Sequence, residues 1–154
     1  MEHQRLAVHR TIVVVDVEGF GDQRRTNPHQ VAVRDGLYRA MREEFGRARI
    51  PWDGCGHEDR GDGVLILIPA ELPKGLLVES VPSGLVTALQ AHNSTHPGPE
   101  QIRLRMALHV GEVSYDEHGV TSASINLAFR LLDSVPLKEA LAASSGVLAV
   151  IASS

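Results

Sequence analysis

The segment Thr11-Ile12-Val13-Val14-Val15-Asp16-Val17 restricts the fold more than any other part of this chain. Its β-branched residues lose rotamer freedom in a helix and fit a pleated strand. Both alternating sets of side chains are apolar, so it reads as a strand buried on both faces. One residue breaks the run. A carboxylate at Asp16, at the end of a buried apolar strand, is costly unless something positive or donating meets it.

The remaining elements follow from periodicity. Val33, Leu37, Met41 and Phe45 recur every fourth residue, predicting an amphipathic helix over about 28–48 with Asn27 as its N-cap. Gly63–Ile68 reads as a second buried strand ended by Pro69. Residues 54–59 pair with it as a hairpin across Arg60-Gly61-Asp62-Gly63. A helix is expected over 81–92, with Pro82 near its start, where proline is tolerated. Ile102, Leu104, Met106 and Leu108 alternate with Arg103, Arg105 and His109, as in a strand with one core face. A short apolar helix over 124–132, another near 137–142 and a strand over 147–151 close the chain. Residues 1–10 read as a lead-in. The order β-α-β-β-α-β-α-β predicts an α+β fold, a ferredoxin-like α/β sandwich with a mostly antiparallel central sheet and helices packed on it.

Composition narrows the function classes. A chain of 154 residues is one domain, and 43% apolar with 22% charged residues is ordinary for a soluble globular chain. No apolar run approaches the roughly 18 residues of a membrane span. Met1-Glu2-His3-Gln4-Arg5 leads into no signal-type stretch, so a cytoplasmic location is expected. The single Cys55 excludes an intramolecular disulfide framework and a multi-cysteine zinc site, and is read as an inert thiol. His57, His109 and His118 lack the spacing of a histidine metal site. A net charge of −4 argues against a general nucleic-acid binder.

Three features carry possible chemistry. Asp16 ends the first strand, and Asp62 sits between two glycines at the turn opening another. Asn126 and Arg130, spaced i,i+4, share one face of an otherwise apolar helix. Each has an ordinary reading as a turn, a cap or a surface residue. Together they suggest two neighbouring carboxylates, which repel unless a divalent cation neutralises them.

Val15-Asp16-Val17-Glu18-Gly19-Phe20, Arg60-Gly61-Asp62-Gly63-Val64, Arg105–Val113 and Ile125–Leu131 occur in an order that resembles the class III nucleotidyl cyclases, the adenylyl and guanylyl cyclase catalytic domains. The resemblance covers about residues 11–134. It implies that Asp16 and Asp62 hold two divalent cations, Mg²⁺ or Mn²⁺. It implies that the backbone of Val17, Gly19, Phe20 and Gly21 wraps the triphosphate of a nucleoside triphosphate. Asn126 would position the ribose, and Arg130 would stabilise charge on the α-phosphate. The aspartates and the Asn126/Arg130 pair would come from different protomers of a homodimer. The product would be a 3′,5′-cyclic nucleotide with pyrophosphate.

The sequence also departs from the family pattern. Glu58 occupies the position that often selects the base and hints at guanine; its ordinary reading is one more charge of the solvated hairpin Glu58-Asp59-Arg60. Gly119 offers no side chain at the second such position, and Ser122 is an acceptable small residue near the helix start. The family's C-terminal hairpin, which carries a triphosphate-binding lysine, is expected to be absent. Arg24 and Arg25 read as an exposed basic loop rather than its replacement. The alternative function is a non-catalytic, cyclase-like nucleotide-binding or dimerisation module. A weaker one is a structural ferredoxin-like domain.

Overall fold

The computed structural model describes residues 6–153. Strand β1 (Leu6–Val17) is followed by α1 (Asn27–Arg47), β2 (Gly56–Asp59), β3 (Gly63–Pro69) and α2 (Lys74–Ser94). Then come the long strand β4 (Leu104–Asp116), the short β5 (Gly119–Thr121), α3 (Ala123–Leu132), α4 (Val135–Ala143) and β6 (Leu148–Ala152). They build a curled sheet of order β2-β3-β1-β4-β5. All of these neighbours are antiparallel, while β6 runs parallel to the first half of β4.

β1 is central because it is apolar on both faces. Val13, Val15 and Val17 join the core under α1 and α2, with Val33, Leu37, Met41, Phe45, Leu85 and Leu89. Ile12 and Val14 point the other way and pack with Ile125, Ala128 and Leu132 of α3 and Leu137 of α4. Covered on both sides, β1 buries every residue from Thr11 to Val17, each fully buried Val or Ile contributing roughly 1.5–3 kcal/mol. The α1/α2 layer and the β-α-β-β-α-β order are the ferredoxin-like part. The α3/α4 pair adds a second layer on the opposite face, and Asp16, with the parity of Ile12 and Val14, faces it.

Several expected boundaries shift for physical reasons. Residues 6–10 are not a lead-in but the first part of β1, paired along Gly111–Tyr115 of β4; residues 1–5 lie outside the described residues. Thr26, not Asn27, takes the N-cap of α1, and its backbone N–H donates to Nδ1 of His29 at 3.0 Å. α2 begins at Lys74 rather than near 81, which places Pro82 inside the helix. The missing backbone donor is tolerated because Leu77, Val81, Leu85 and Leu89 anchor the helix to the core on both sides of it. Gly63 is dictated by close approach: a Cβ there would lie 1.8 Å from the carbonyl oxygen of Val15.

The α1–α2 contact carries a pH dependence. His92 of α2 lies against Gly36 of α1, stacks on His96 with ring centroids 3.8 Å apart, and hydrogen-bonds the Glu100 carbonyl through Nε2 at 2.9 Å. Burial lowers its pKa below the ordinary 6.5; the Glu100 carbonyl and side chain oppose this, while the charges of His96 and Arg39 reinforce it. Glu43 lines the same groove. The unfolded chain therefore protonates this imidazole first. Its contribution to stability is complete above about pH 6.5 and is lost as pH falls below that value. Melting temperatures measured from pH 7.5 to 5 are expected to fall on the acid side, with a smaller slope in His92→Gln.

Candidate active site

Asp16 stands at the end of β1, opposite Arg105 of β4 in the antiparallel register. Its carboxylate accepts from Nε of Arg105 at 2.8 Å and from Nη2 at 2.9 Å, a two-point contact that matches the guanidinium fork. Only 12% of the Asp16 side chain and 14% of the Arg105 side chain are exposed. This is the positive partner that a buried carboxylate requires. Burial nevertheless raises the pKa of Asp16 above its ordinary value; the contact with Arg105 opposes the rise, while the charges of Asp62 and Asp133 add to it.

Asp62 reaches the same place from the β2–β3 turn. Pairing of Asp16 with Gly63 sets Asp62 opposite Val17, the last residue of β1, and the Asp62 carbonyl accepts the Val17 N–H at 2.9 Å. Its side chain is exposed and hydrogen-bonds no described residue. Asp16 and Asp62 together line a cleft of about 230 Å³ with Val15, Arg60, Phe129, Leu132 and Asp133. Arg60 lies over the Phe129 ring, 4.7 Å from its centroid, and pairs with Glu58 at 2.6 Å. Glu58 is exposed on β2, outside the residues that line the cleft.

The turn after β1 is short and tied down. Val17 is buried in the strand, and its carbonyl accepts the Phe20 N–H at 3.3 Å. Gly19 adopts φ +65°, a left-handed conformation that favours glycine. Gly19 and Gly21 are exposed, and their N–H groups donate to no described residue. Arg24 is held by the Asp22 carboxylate at 3.1 Å. Arg25 donates to the carbonyls of Glu18 at 3.4 Å and Gln101 at 3.0 Å. Both arginines border a second hollow of about 530 Å³ with Glu18, Gly19, Asp22, Gly98 and Pro99.

α3 starts at Ser122, whose Oγ accepts from the N–H groups of Ser124 at 2.9 Å and Ile125 at 3.2 Å while donating to the Glu112 carbonyl at 2.6 Å. Ile125, Ala128 and Leu132 face the sheet, which turns Asn126 and Arg130 outward. Both are exposed, and neither side chain makes a hydrogen bond or ion pair with a described residue. Neither lines the aspartate cleft. One chain thus brings Asp16 and Asp62 together and presents Asn126 and Arg130 elsewhere.

The histidines and the cysteine take ordinary places. His57 stacks on Trp52 at 4.2 Å, and Nδ1 of His109 meets the hydroxyl of Ser153. Cys55 donates to the Pro51 carbonyl at 3.3 Å, and burial pushes its pKa up to about 11, far from a reactive thiolate. Among the described residues no group of three or more His, Cys, Asp or Glu converges as a metal site. The residues that sequence reasoning missed are Arg105, Arg60 and Asp133 around the aspartates. Arg105 had one signal: the unmet need of Asp16 for a positive partner.

No family model matches the sequence, and no curated protein matches it. Solved structures do match. The guanylyl cyclase Cya2 is 23% identical with a TM-score of 0.54, the match covering 86% of this chain and 72% of that one. The monomeric guanylyl cyclase domain of the RhoGC fusion protein from the aquatic fungus Blastocladiella emersonii is 18% identical with a TM-score of 0.61, over 87% of this chain and 79% of that one. A bacterial light-regulated adenylyl cyclase is 14% identical with a TM-score of 0.68, over 97% of this chain and 44% of that one. Among the described residues no helix is long and apolar enough to cross a membrane. The curled sheet, its helical layers and these likenesses together establish that the chain has the fold of the class III nucleotidyl cyclase catalytic domain.

Proposed function

We propose that this chain is a metal-dependent nucleotidyl cyclase, working as a homodimer and producing a 3′,5′-cyclic nucleotide and pyrophosphate as a signal. The observation that carries the reading is the division of the site. Asp16 and Asp62 share one cleft, while the side chains of Asn126 and Arg130 stand exposed and unpartnered, among the described residues, on a face a second protomer can reach.

The donor set suits a hard divalent cation. Asp16 and Asp62 supply anionic oxygens, and a cation would relieve both the burial and the like-charge repulsion that raise the Asp16 pKa. Asp133, the third carboxylate lining the cleft, pairs with Lys138 at 3.1 Å. With Asp16 and Asp62 as the protein ligands, the remaining ones would be water and substrate phosphate, as Mg²⁺ prefers. Bound there, two Mg²⁺ or Mn²⁺ ions would make the ribose 3′-hydroxyl more acidic and offset charge on the phosphates. Arg105 orients Asp16 through its two-point contact and favours its ionised form. The N–H groups of Gly19 and Gly21, which donate to no described residue, are donors for phosphate oxygens, which the turn's glycines let approach closely. Asn126 of the second protomer orients the ribose, and its Arg130 stabilises charge on the α-phosphate. The 3′-oxygen attacks the α-phosphorus in line, the 3′-hydroxyl proton passes to solvent, and the bond to pyrophosphate breaks. Glu58 points to guanine, with Arg60 as the cation it must share or release.

The test is to incubate the purified protein with each of ATP, GTP, CTP and UTP in the presence of Mn²⁺ and assay by mass spectrometry. Cyclic mononucleotide and pyrophosphate from one nucleotide, GTP on this reading, is the expected result. No product from any of the four, at concentrations where a dimer is demonstrated, would overturn it. One observation favours a second reading, a non-catalytic nucleotide-binding or dimerisation module: Arg105 already neutralises Asp16 within the chain. That module would bind nucleotide without turnover.

A further inference from the structure

The turn carrying Asp62 is gripped from α1 by side chains outside the cleft. Asp59, the last residue of β2, accepts from Nη1 of Arg34 at 3.0 Å, from Nη2 at 2.6 Å and from the Tyr38 hydroxyl at 2.7 Å. The same carboxylate accepts the Gly61 N–H at 2.7 Å, and Arg34 also donates to the Gly61 carbonyl at 2.5 Å. Both peptide groups flanking Gly61 are therefore held, one by Asp59 and one by Arg34. Gly61 sits at φ +83° and Gly63 presses on the β1 backbone, so Asp62 lies between two constrained glycines. Trp52 packs edge-on against Tyr38, with centroids 6.2 Å apart, and keeps the phenol in place.

We infer that Arg34, Tyr38 and Asp59 form a clamp whose role is to position Asp62 for cation binding. The inference rests on the cyclase reading of the cleft. The ion pair is half-exposed, with 36% of the Arg34 side chain and 42% of the Asp59 side chain open to solvent. Pairs so exposed add little to global stability. Five hydrogen bonds among Arg34, Tyr38, Asp59 and Gly61 do something else: they fix the geometry of the turn. An exposed carboxylate on a free turn would spend much of its time pointing away from Asp16. The clamp is insensitive to neutral pH changes, because hydrogen bonds from Arg34 and Tyr38 hold the Asp59 carboxyl well below the usual range.

Outer residues that orient a metal ligand typically govern affinity by about 10–100-fold. The experiment is a Mn²⁺ titration of the full chain, read by the electron paramagnetic resonance of free Mn²⁺, with melting temperatures recorded alongside. Asp59→Ala and Arg34→Ala are expected to weaken Mn²⁺ binding about tenfold or more at nearly unchanged melting temperature. Arg34→Lys, which keeps the charge but not the fork, is expected to fall between them and the parent. Asp62→Asn supplies the scale of full loss. Should the clamp variants bind Mn²⁺ like the parent while Asp62→Asn does not, the inference is overturned and the cyclase reading stands. Should the parent itself bind no Mn²⁺, the cation reading falls, and the clamp inference falls with it.

Discussion

Asp16→Ala is expected to lower cyclic nucleotide formation by roughly 10³-fold or more, since a bound cation offsets several kcal/mol of charge in the transition state. It is also expected to cost stability. Arg105, 14% exposed, would be left with a buried guanidinium and no counter-charge. Breaking one side of a buried pair is strongly destabilising, and here the cost is put at about 3 kcal/mol, the low end because the pair is not fully dry. The two effects separate in the double variant Asp16→Ala/Arg105→Met. Removing both charges should return most of the stability in a urea unfolding curve while leaving product formation at the level of Asp16→Ala. Recovery of activity with stability would place Asp16 in a structural role, as the second reading requires.

Arg130→Ala, in turn, should form product about 10²–10³-fold more slowly than the parent, the cost of losing a donor aimed at developing charge. Its exposure and lack of a partner among the described residues mean that stability should barely change. The sharper result comes from mixing. Asp16→Ala and Arg130→Ala protomers, each inactive alone, form heterodimers in which one site carries both lesions and the other carries neither. With random association, half the dimers are mixed and half their sites intact, so roughly a quarter of parental activity should return. Destabilisation of Asp16→Ala would lower that fraction, and pairing the Asp16→Ala/Arg105→Met protomer with Arg130→Ala corrects for it. No recovery, with exchange of protomers demonstrated, would show that no site combines the aspartates of one protomer with Arg130 of the other.

The features legible in the sequence are local in origin. Burial of β1 on both faces follows from the β-branched run Thr11–Val15, and the α1 stripe from fourfold spacing. The turn at Gly61–Gly63 follows from its Asp-Gly dipeptide. The resemblance to the cyclases singled out Asp16, Asp62, Asn126 and Arg130 because it compares residue types in order, which needs no geometry. Errors arose where the deciding force was distant. Leu77 belongs to α2 because the core reaches it, so the helix runs through Pro82 instead of starting there.

Engagement of the site was illegible for the same reason. Arg105 meets Asp16 across 89 residues of chain, and Arg34 meets Asp59 across 25. Asp133, Arg60 and Phe129 enter the cleft only because α3 packs on the face toward which Asp16 points. Hydrophobic periodicity and turn preference are properties of a few consecutive residues, so the elements and the acidic pair were legible in the chain. Cross-strand register and helix placement depend on the summed packing of the whole chain. Only the tertiary structure could decide that Asp16 and Asp62 share a cleft, that Arg105 answers the buried carboxylate, and that Asn126 and Arg130 face outward.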